Sequence, residues 1–276
     1  MSKIQRAIIS VSDKDGIGNF AKGLREFEIE ILSTGGTAKR LRDGGVEVTE
    51  ISEFTGSPEI LDGRVKTLHP KLYGGILAMR DNESHLKQIK ESGIEPIDLV
   101  VVNLYPFEEV IKKENVDLGE AIENIDIGGP TLLRAAAKNC KFVTIVTDPD
   151  DYKEVLKELK KNKGAVSPET NFKLAMKAFS YVARYDAAIS NYLGTLEKEG
   201  VKIKFPTTVT MHLEKKMKLR YGENPHQEGA FYVFHDIVEP CISNSIQLQG
   251  KELSLNNIYD TDAALEAVKD FSGTAC

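Results

Sequence analysis

Short runs of β-forming residues alternate with segments of helix length, and this alternation limits the folds open to the chain more than any other feature. The runs are RAIISV (6–11), EIEILS (28–33), VEVTEI (46–51), DLVVVNLY (98–105) and FVTIVT (142–147). Amphipathic stretches such as GIGNFAKGLREF and ESHLKQIKESG lie between them. Near-continuous apolar strands alternating with helices predict an α/β fold, a parallel sheet covered on both faces. Ligands of such sheets sit beyond the carboxyl ends of the strands. Candidate functional residues are therefore sought just after each run.

From about 150 to 199 the pattern becomes helical, opened by Asp148-Pro149 and by Ser167-Pro168, each a capping residue followed by a proline suited to a first turn. Beyond it, TTVTMHLEKKMKLRYGENPHQEGAFYVF reads as strands and loops. A length of 276 residues also favours two domains, and the boundary is expected near 199, giving segments 1–199 and 200–276.

With 41% hydrophobic and 28% charged residues, the composition is that of an ordinary globular protein. Apolar runs such as LVVV (99–102) are too short to span a bilayer, and the start of the chain is too short in apolar residues for a secretory signal. A cytoplasmic location with no membrane partner is expected. Cys140, Cys241 and Cys276 are scattered without a CxxC pair, which indicates neither a disulfide framework nor a thiolate zinc site. A formal net charge of −6 argues against a nucleic-acid partner. An anionic substrate would require cations gathered locally.

Two post-strand loops fit an anion. Ser12, Asp13 and Lys14 follow the first run; Thr34, Gly35, Gly36 and Thr37 follow the second, where a helix begins. Free backbone N–H groups and the positive helix end can face a phosphate there, and glycine permits close approach. For either loop on its own, simple helix capping by Ser12, Asp13 and Thr37 is the favoured reading, and it is the two together that suggest a phosphate cradle. Neither matches GxGxxG or a P-loop, so dinucleotide binding has no support.

The segment GRVKTLHPKLYGGILA (63–78) gathers Arg64, Lys66, Thr67, His69 and Lys71 into a loop closed by Pro70, either an anion site or a solvated basic loop. His69, before a proline, reads as a turn residue. Asn103 and Tyr105 end the fourth run, where an amide can read a base edge and a phenol can orient a proton, or where both simply finish a strand. In NIDIGGPTLLRAAAKN (124–139), Pro130 fits a first helical turn, Asp126 lies just upstream, and Lys138 follows along the helix, where it can also complement the helix dipole.

Taken in order, SVSDK, GGTAK, GRVKTLHP, NLYPF and IDIGGPTLLRAAAKN resemble the IMP cyclohydrolase domain of the bifunctional purine-biosynthesis proteins that also carry AICAR transformylase. The likeness covers roughly 4–195 and continues through LRYGENPHQEGAFY and GKELSLNNIYDTDAAL. It implies a methylglyoxal-synthase-like first domain followed by the start of a deaminase-like α+β segment. The implied reaction is dehydrative closure of 5-formamidoimidazole-4-carboxamide ribotide (FAICAR) to IMP, with Lys66, Tyr105, Asp126 and Lys138 as the catalytic set and Lys138 as the proton-transfer residue. Implied ribotide contacts are Ser12, Asp13, Lys14, Thr34, Gly35, Gly36, Thr37, Arg64, Thr67, Asn103 and Ile127. No metal or redox cofactor is implied.

Arg220 and Tyr221 match positions that contact AICAR, but the Lys-His pair and Asn-Pro-Cys-Gly-type stretch of formyl transfer lie beyond this sequence. Formyl transfer from 10-formyltetrahydrofolate is therefore expected only in a longer protein, as is a firm homodimer. His226-Gln227-Glu228 and Pro240-Cys241 imitate parts of a zinc-deaminase signature but lack its second cysteine. Two other readings remain: a methylglyoxal-synthase-like phosphate lyase, which does not explain NLYPF or IDIGGPTLLRAAAK, and a non-catalytic nucleotide-binding regulatory module, which has no need of the Lys/Tyr/Asp/Lys set.

Overall fold

The structure, a computed structural model, describes residues 3–113, 116–197, 201, 203–235 and 237–276. Two compact units divide it, Met1–Val209 and Thr210–Cys276. The boundary expected near 199 falls among residues outside the described ones.

In chain order the first unit comprises β1 (Arg6–Val11), α1 (Ile17–Arg25), β2 (Glu30–Ser33), α2 (Gly35–Asp43), β3 (Thr49–Glu50), α3 (Ile51–Thr55), α4 (Pro70–Leu77), α5 (Glu83–Glu91), β4 (Leu99–Asn103), α6 (Phe107–Ile111), α7 (Leu118–Glu123), α8 (Gly128–Lys138), β5 (Thr144–Val146), α9 (Tyr152–Lys161) and α10 (Pro168–Gly194). The five strands form one sheet in the order β3-β2-β1-β4-β5, every pair parallel. All five residues of β4 and all three of β5 are buried. Helices thus cover both faces, as continuous apolar strands require. The third run contracts to the two-residue β3 because only Thr49 and Glu50 pair with β2.

Capping sets the helix starts. Ser167 accepts the Thr170 N–H at 3.2 Å and Pro168 occupies the first turn of the 27-residue α10. Asp148 likewise accepts the Asp150 N–H, at 2.9 Å, opening a 3₁₀ turn before α9. The basic segment 63–78 is a loop only as far as His69. There the imidazole accepts the Lys71 N–H at 3.2 Å, and Pro70, rather than closing a loop, begins α4.

Helix α8 packs on β4 and β5 and against α10, which itself meets β5, where Thr144 donates to the Asn171 side chain at 2.7 Å. Ala135, Ala136 and Ala137 are buried on α8 and Ala175 and Ala178 on α10, small side chains that allow close packing. Its C-cap, Asn139, donates to the carbonyls of Ile76 (2.7 Å) and Ala78 (3.1 Å), which fixes α8 to the end of α4.

The second unit holds an antiparallel hairpin, β6 (Glu214–Leu219) with β7 (Gly229–Val233), and one helix, α11 (Leu255–Lys269). Leu219 and Ile258 are its buried apolar residues, while Val238, Ile246 and Leu248 are exposed. A two-stranded sheet with so little buried surface has little core of its own. Among the described residues no helix is long and apolar enough to cross a membrane.

Two glycine substitutions separate packing from propensity. A Cβ on Gly75 of α4 would meet the Glu95 carbonyl oxygen at 2.5 Å, whereas one on Gly18 of α1 meets nothing within 4 Å. Gly75→Ala should lower stability by about 2–3 kcal/mol, and Gly18→Ala should raise it by up to about 1 kcal/mol. Urea midpoints measure both, and equal shifts in the two variants would contradict this packing.

Candidate active site

The sheet order reverses between β1 and β4, so their carboxyl ends open the crevice where ligands of such folds bind. Val11 and Asn103 are partners at this edge. The buried Asn103 side chain accepts the N–H groups of Ser12 (2.6 Å) and Asp13 (2.9 Å) and donates to the Asp13 carbonyl (3.0 Å). Expected near a base edge, this amide is instead engaged in bracing the loop after β1. The Thr37 hydroxyl is similarly engaged inward, donating to the Val11 carbonyl at 2.9 Å and accepting its N–H at 3.1 Å.

What still faces outward is the first turn of α2. Its backbone N–H groups at Gly35, Gly36 and Thr37 have no partner inside the helix, and no acidic residue lies in that turn. Gly35 has φ +54°, a conformation suited to glycine. A Cβ there would lie 3.8 Å from Lys66 Nζ, and one on Gly36 the same distance from Lys14 Cε. Two lysines from different loops therefore approach one helix start. Lys14 Nζ also donates to the Ser12 carbonyl at 3.1 Å, and the Asp13 carboxylate accepts the Asp15 N–H at 2.9 Å.

Lys66 and Arg64 stand on a tight hairpin in which Ile60 pairs with Val65. Its tip, Leu61, Asp62 and Gly63, has φ values of +55°, +52° and +86°. The Lys66 side chain runs over bare Gly63, where a Cβ would overlap its Cε. Its ammonium lies 3.6 Å from Glu59 Oε2, while Glu59 Oε1 accepts from the Thr34 hydroxyl at 2.6 Å. Arg64 points outward and pairs with the exposed Glu123 at the end of α7. Thr67 is buried against the start of α8, 2.8 Å from where a Gly128 Cβ would be.

The Asp126 carboxylate sits at that helix start. It accepts the Gly129 N–H at 2.8 Å, and the nearby backbone N–H groups of Tyr105 and Gly128 favour its charge. Burial raises its pKa, and these three N–H groups oppose the rise. A Cβ on Gly129 would lie 2.5 Å from Asp126 Oδ2 and 2.6 Å from Leu104, so glycine makes room for the carboxylate. Two tyrosines of α10 hold the surrounding backbone: Tyr185 accepts the Asp126 N–H at 2.8 Å, and Tyr181 accepts the Leu104 N–H at 3.0 Å. Burial, with the Asp126 charge, pushes the Tyr73 and Tyr185 phenols up to about 12, so they stay neutral. The Tyr105 side chain is 55% exposed and Ile127 60% exposed, both beside this carboxylate in sequence or contact.

Lys138 is not part of this cluster. It is exposed at the last position of α8, and ten helical steps from Gly128 amount to roughly 15 Å of axis. A lysine reaches less than half of that. Arg220 and Tyr221 follow β6 in the second unit, with the guanidinium 4.8 Å from the Tyr221 ring centre. Among the described residues no group of three or more His, Cys, Asp or Glu side chains is placed to hold a metal.

The pattern of the AICARFT/IMPCHase bienzyme family matches residues 136–276, just over half of the chain, and that of the MGS-like domain matches residues 16–131. The chain belongs to the AICARFT/IMPCHase bienzyme family. It is 56% identical over 276 residues to the bifunctional purine biosynthesis protein PurH of Magnetococcus marinus and 54% identical to that of Acidithiobacillus ferrooxidans. All of this chain aligns with 52% and 53% of those proteins, so it spans about half the length of the curated relatives it matches. A solved structure described as ForH superposes with a TM-score of 0.64 at 42% identity, covering 69% of this chain and 97% of its own. The two family patterns meet inside α8: the MGS-like pattern includes the α2 helix start, the hairpin and Asp126, and the bienzyme pattern includes Lys138 and the second unit.

Sequence reasoning missed Glu59, Tyr73, Tyr181 and Tyr185. Tyr181 and Tyr185 are four residues apart on a helix and so share a face, a signal available in SYVARYDAA. Glu59 carries no such signal, because only the fold of the hairpin brings it to Thr34.

Removing the Asn103 brace leaves two N–H groups and a carbonyl without it, so Asn103→Ala should destabilise by about 2–4 kcal/mol and speed amide exchange at Ser12 and Asp13. Unchanged exchange there would refute the brace. The Asp126 pKa is raised on folding, so its contribution favours the folded state below the unfolded pKa and is lost as pH rises through the folded one. Asp126→Asn has no such proton to lose. Its stability relative to wild type should therefore increase between about pH 3 and about pH 7; urea titrations at both ends showing no change, or a decrease, would contradict it.

Proposed function

We propose that the first unit catalyses dehydrative ring closure of FAICAR to IMP. The observation that carries this reading is the presence, at one sheet edge, of a helix start flanked by Lys14 and Lys66 together with a half-buried carboxylate, Asp126, held by the Gly129 N–H. The α2 helix start takes the ribotide phosphate, with Ser12, Asp13 and Lys14 on one side and Arg64 and Thr67 on the hairpin side. Asn103 and Thr37 serve by shaping the loop, and Ile127 lies toward the base.

In the reaction the carboxamide nitrogen attacks the formyl carbon, the nitrogen loses one proton, and the formyl oxygen becomes a hydroxyl. That hydroxyl then leaves as water with the proton of the former formamide nitrogen, forming the C=N bond. Asp126 is the group we assign to the nitrogen proton, because burial moves its pKa toward the working range. Lys66 and the Tyr105 phenol are assigned to the developing oxygen charge. Lys138 keeps its expected proton-transfer role only on the site of a second copy, because within one chain it lies a helix length from Asp126. This agrees with the proposed homodimer. Arg220, Tyr221 and 10-formyltetrahydrofolate belong to formyl transfer in the longer protein, proposed to be cytoplasmic.

Conversion of synthetic FAICAR to IMP, followed by absorbance, tests the reading. Lys66→Ala, Asp126→Asn and Lys138→Ala should each lower kcat by about 10²–10⁴-fold. Mixing Asp126→Asn with Lys138→Ala should restore part of the turnover. A folded chain that binds IMP with no turnover would favour a nucleotide-binding regulatory module.

A further inference from the structure

Glu59 is the carboxylate that contacts both the Thr34 cap of the α2 helix start and Lys66, whereas Glu123 pairs with Arg64 farther out on the hairpin. Its Oε1 accepts from Thr34, the N-cap of α2, at 2.6 Å, and its Oε2 lies 3.6 Å from Lys66 Nζ. That ammonium in turn stands 3.8 Å from where a Gly35 Cβ would be. An anion at this helix start thus meets a resident anion already using a hydroxyl donor and a cation beside it.

We propose that Glu59 is a specificity-determining competitor at the phosphate site: its carboxylate occupies the Thr34 and Lys66 donors until a phosphate of higher charge displaces it, and displacement frees the Lys66 ammonium for the reacting oxygen. A dianionic phosphate offers more charge and more acceptor atoms to the same donors than one carboxylate does. Monoanions such as chloride or acetate offer no such advantage and are excluded. This inference rests on the reading of the α2 helix start as the phosphate site.

The test titrates the wild-type chain and Glu59→Gln with inorganic phosphate and with ribose 5-phosphate, following the Gly35 and Gly36 amide signals by NMR. Glu91→Gln, an equal charge change at the exposed end of α5, serves as control. Glu59→Gln should bind both phosphates roughly threefold to tenfold more tightly, with the same two amides shifting, and should bind acetate measurably where the wild type does not. The control should match the wild type. Equal or weaker phosphate binding by Glu59→Gln, with Gly35 and Gly36 still shifting, would overturn the competitor role and leave the phosphate site standing. Phosphate binding that moves neither amide in either protein would overturn both.

Discussion

Every strand of the main sheet runs in the same direction, and this single constraint decides where function can reside. Parallel strands send each following loop to one edge, and the reversal of order between β1 and β4 leaves a crevice there. A crevice between loops holds its shape only if the loops are tied. Here the tie is Asn103, whose buried amide binds three backbone groups of the loop after the neighbouring strand. Thr37 repeats the device one strand over, binding both backbone groups of Val11. Asn103 and Thr37, both expected to meet a ligand, are thus committed to holding the backbone at this edge.

The other side of this edge depends on α10. Its tyrosines hold the N–H groups of Leu104 and Asp126, so the segments on either side of α6 and α7 are tied to one helix. The Gly129 N–H binds the Asp126 carboxylate there, and the nearby N–H groups of Tyr105 and Gly128 favour its charge. Burial alone would neutralise that carboxyl; the donors alone would hold it ionised. Burial is the larger influence and the pKa rises, which is the balance that a proton-exchanging group requires.

Much of this was legible in the sequence where a local pattern fixes the outcome. RAIISV is β1 residue for residue, and Ser167-Pro168 marks the start of α10, because strand alternation and capping act over a few neighbours. The order of motifs also led to the family. What was not legible depends on contacts between distant segments: the inward commitment of Asn103, the pairing of Glu59 with Thr34, and the helix that begins at Pro70, where a dense basic stretch masked an ordinary N-cap at His69. Lys138 shows the converse. Its place beside Asp126 in one chemical set came from the family resemblance, whereas its position in the sequence pointed to the end of a helix, which is where it stands, separated from Asp126 by the helix rise.

The chain is acidic overall, with a formal charge of −6, and still gathers Lys14 and Lys66 at the start of α2. Net charge acts over distances that salt screens within about 10 Å, so it has little weight against groups in contact. A unit pair at 4 Å is worth about 1 kcal/mol in water and several times that where the surroundings exclude water. Two lysines and the unpaired N–H groups of one helix turn therefore outweigh a diffuse surface excess of carboxylates. Only a carboxylate inside that radius can oppose them, and Glu59 is inside it, bound to Thr34 and beside Lys66. The local charge at the start of α2 is consequently set by the hairpin that carries Lys66 and is flanked by Glu59, rather than by the charge of the protein.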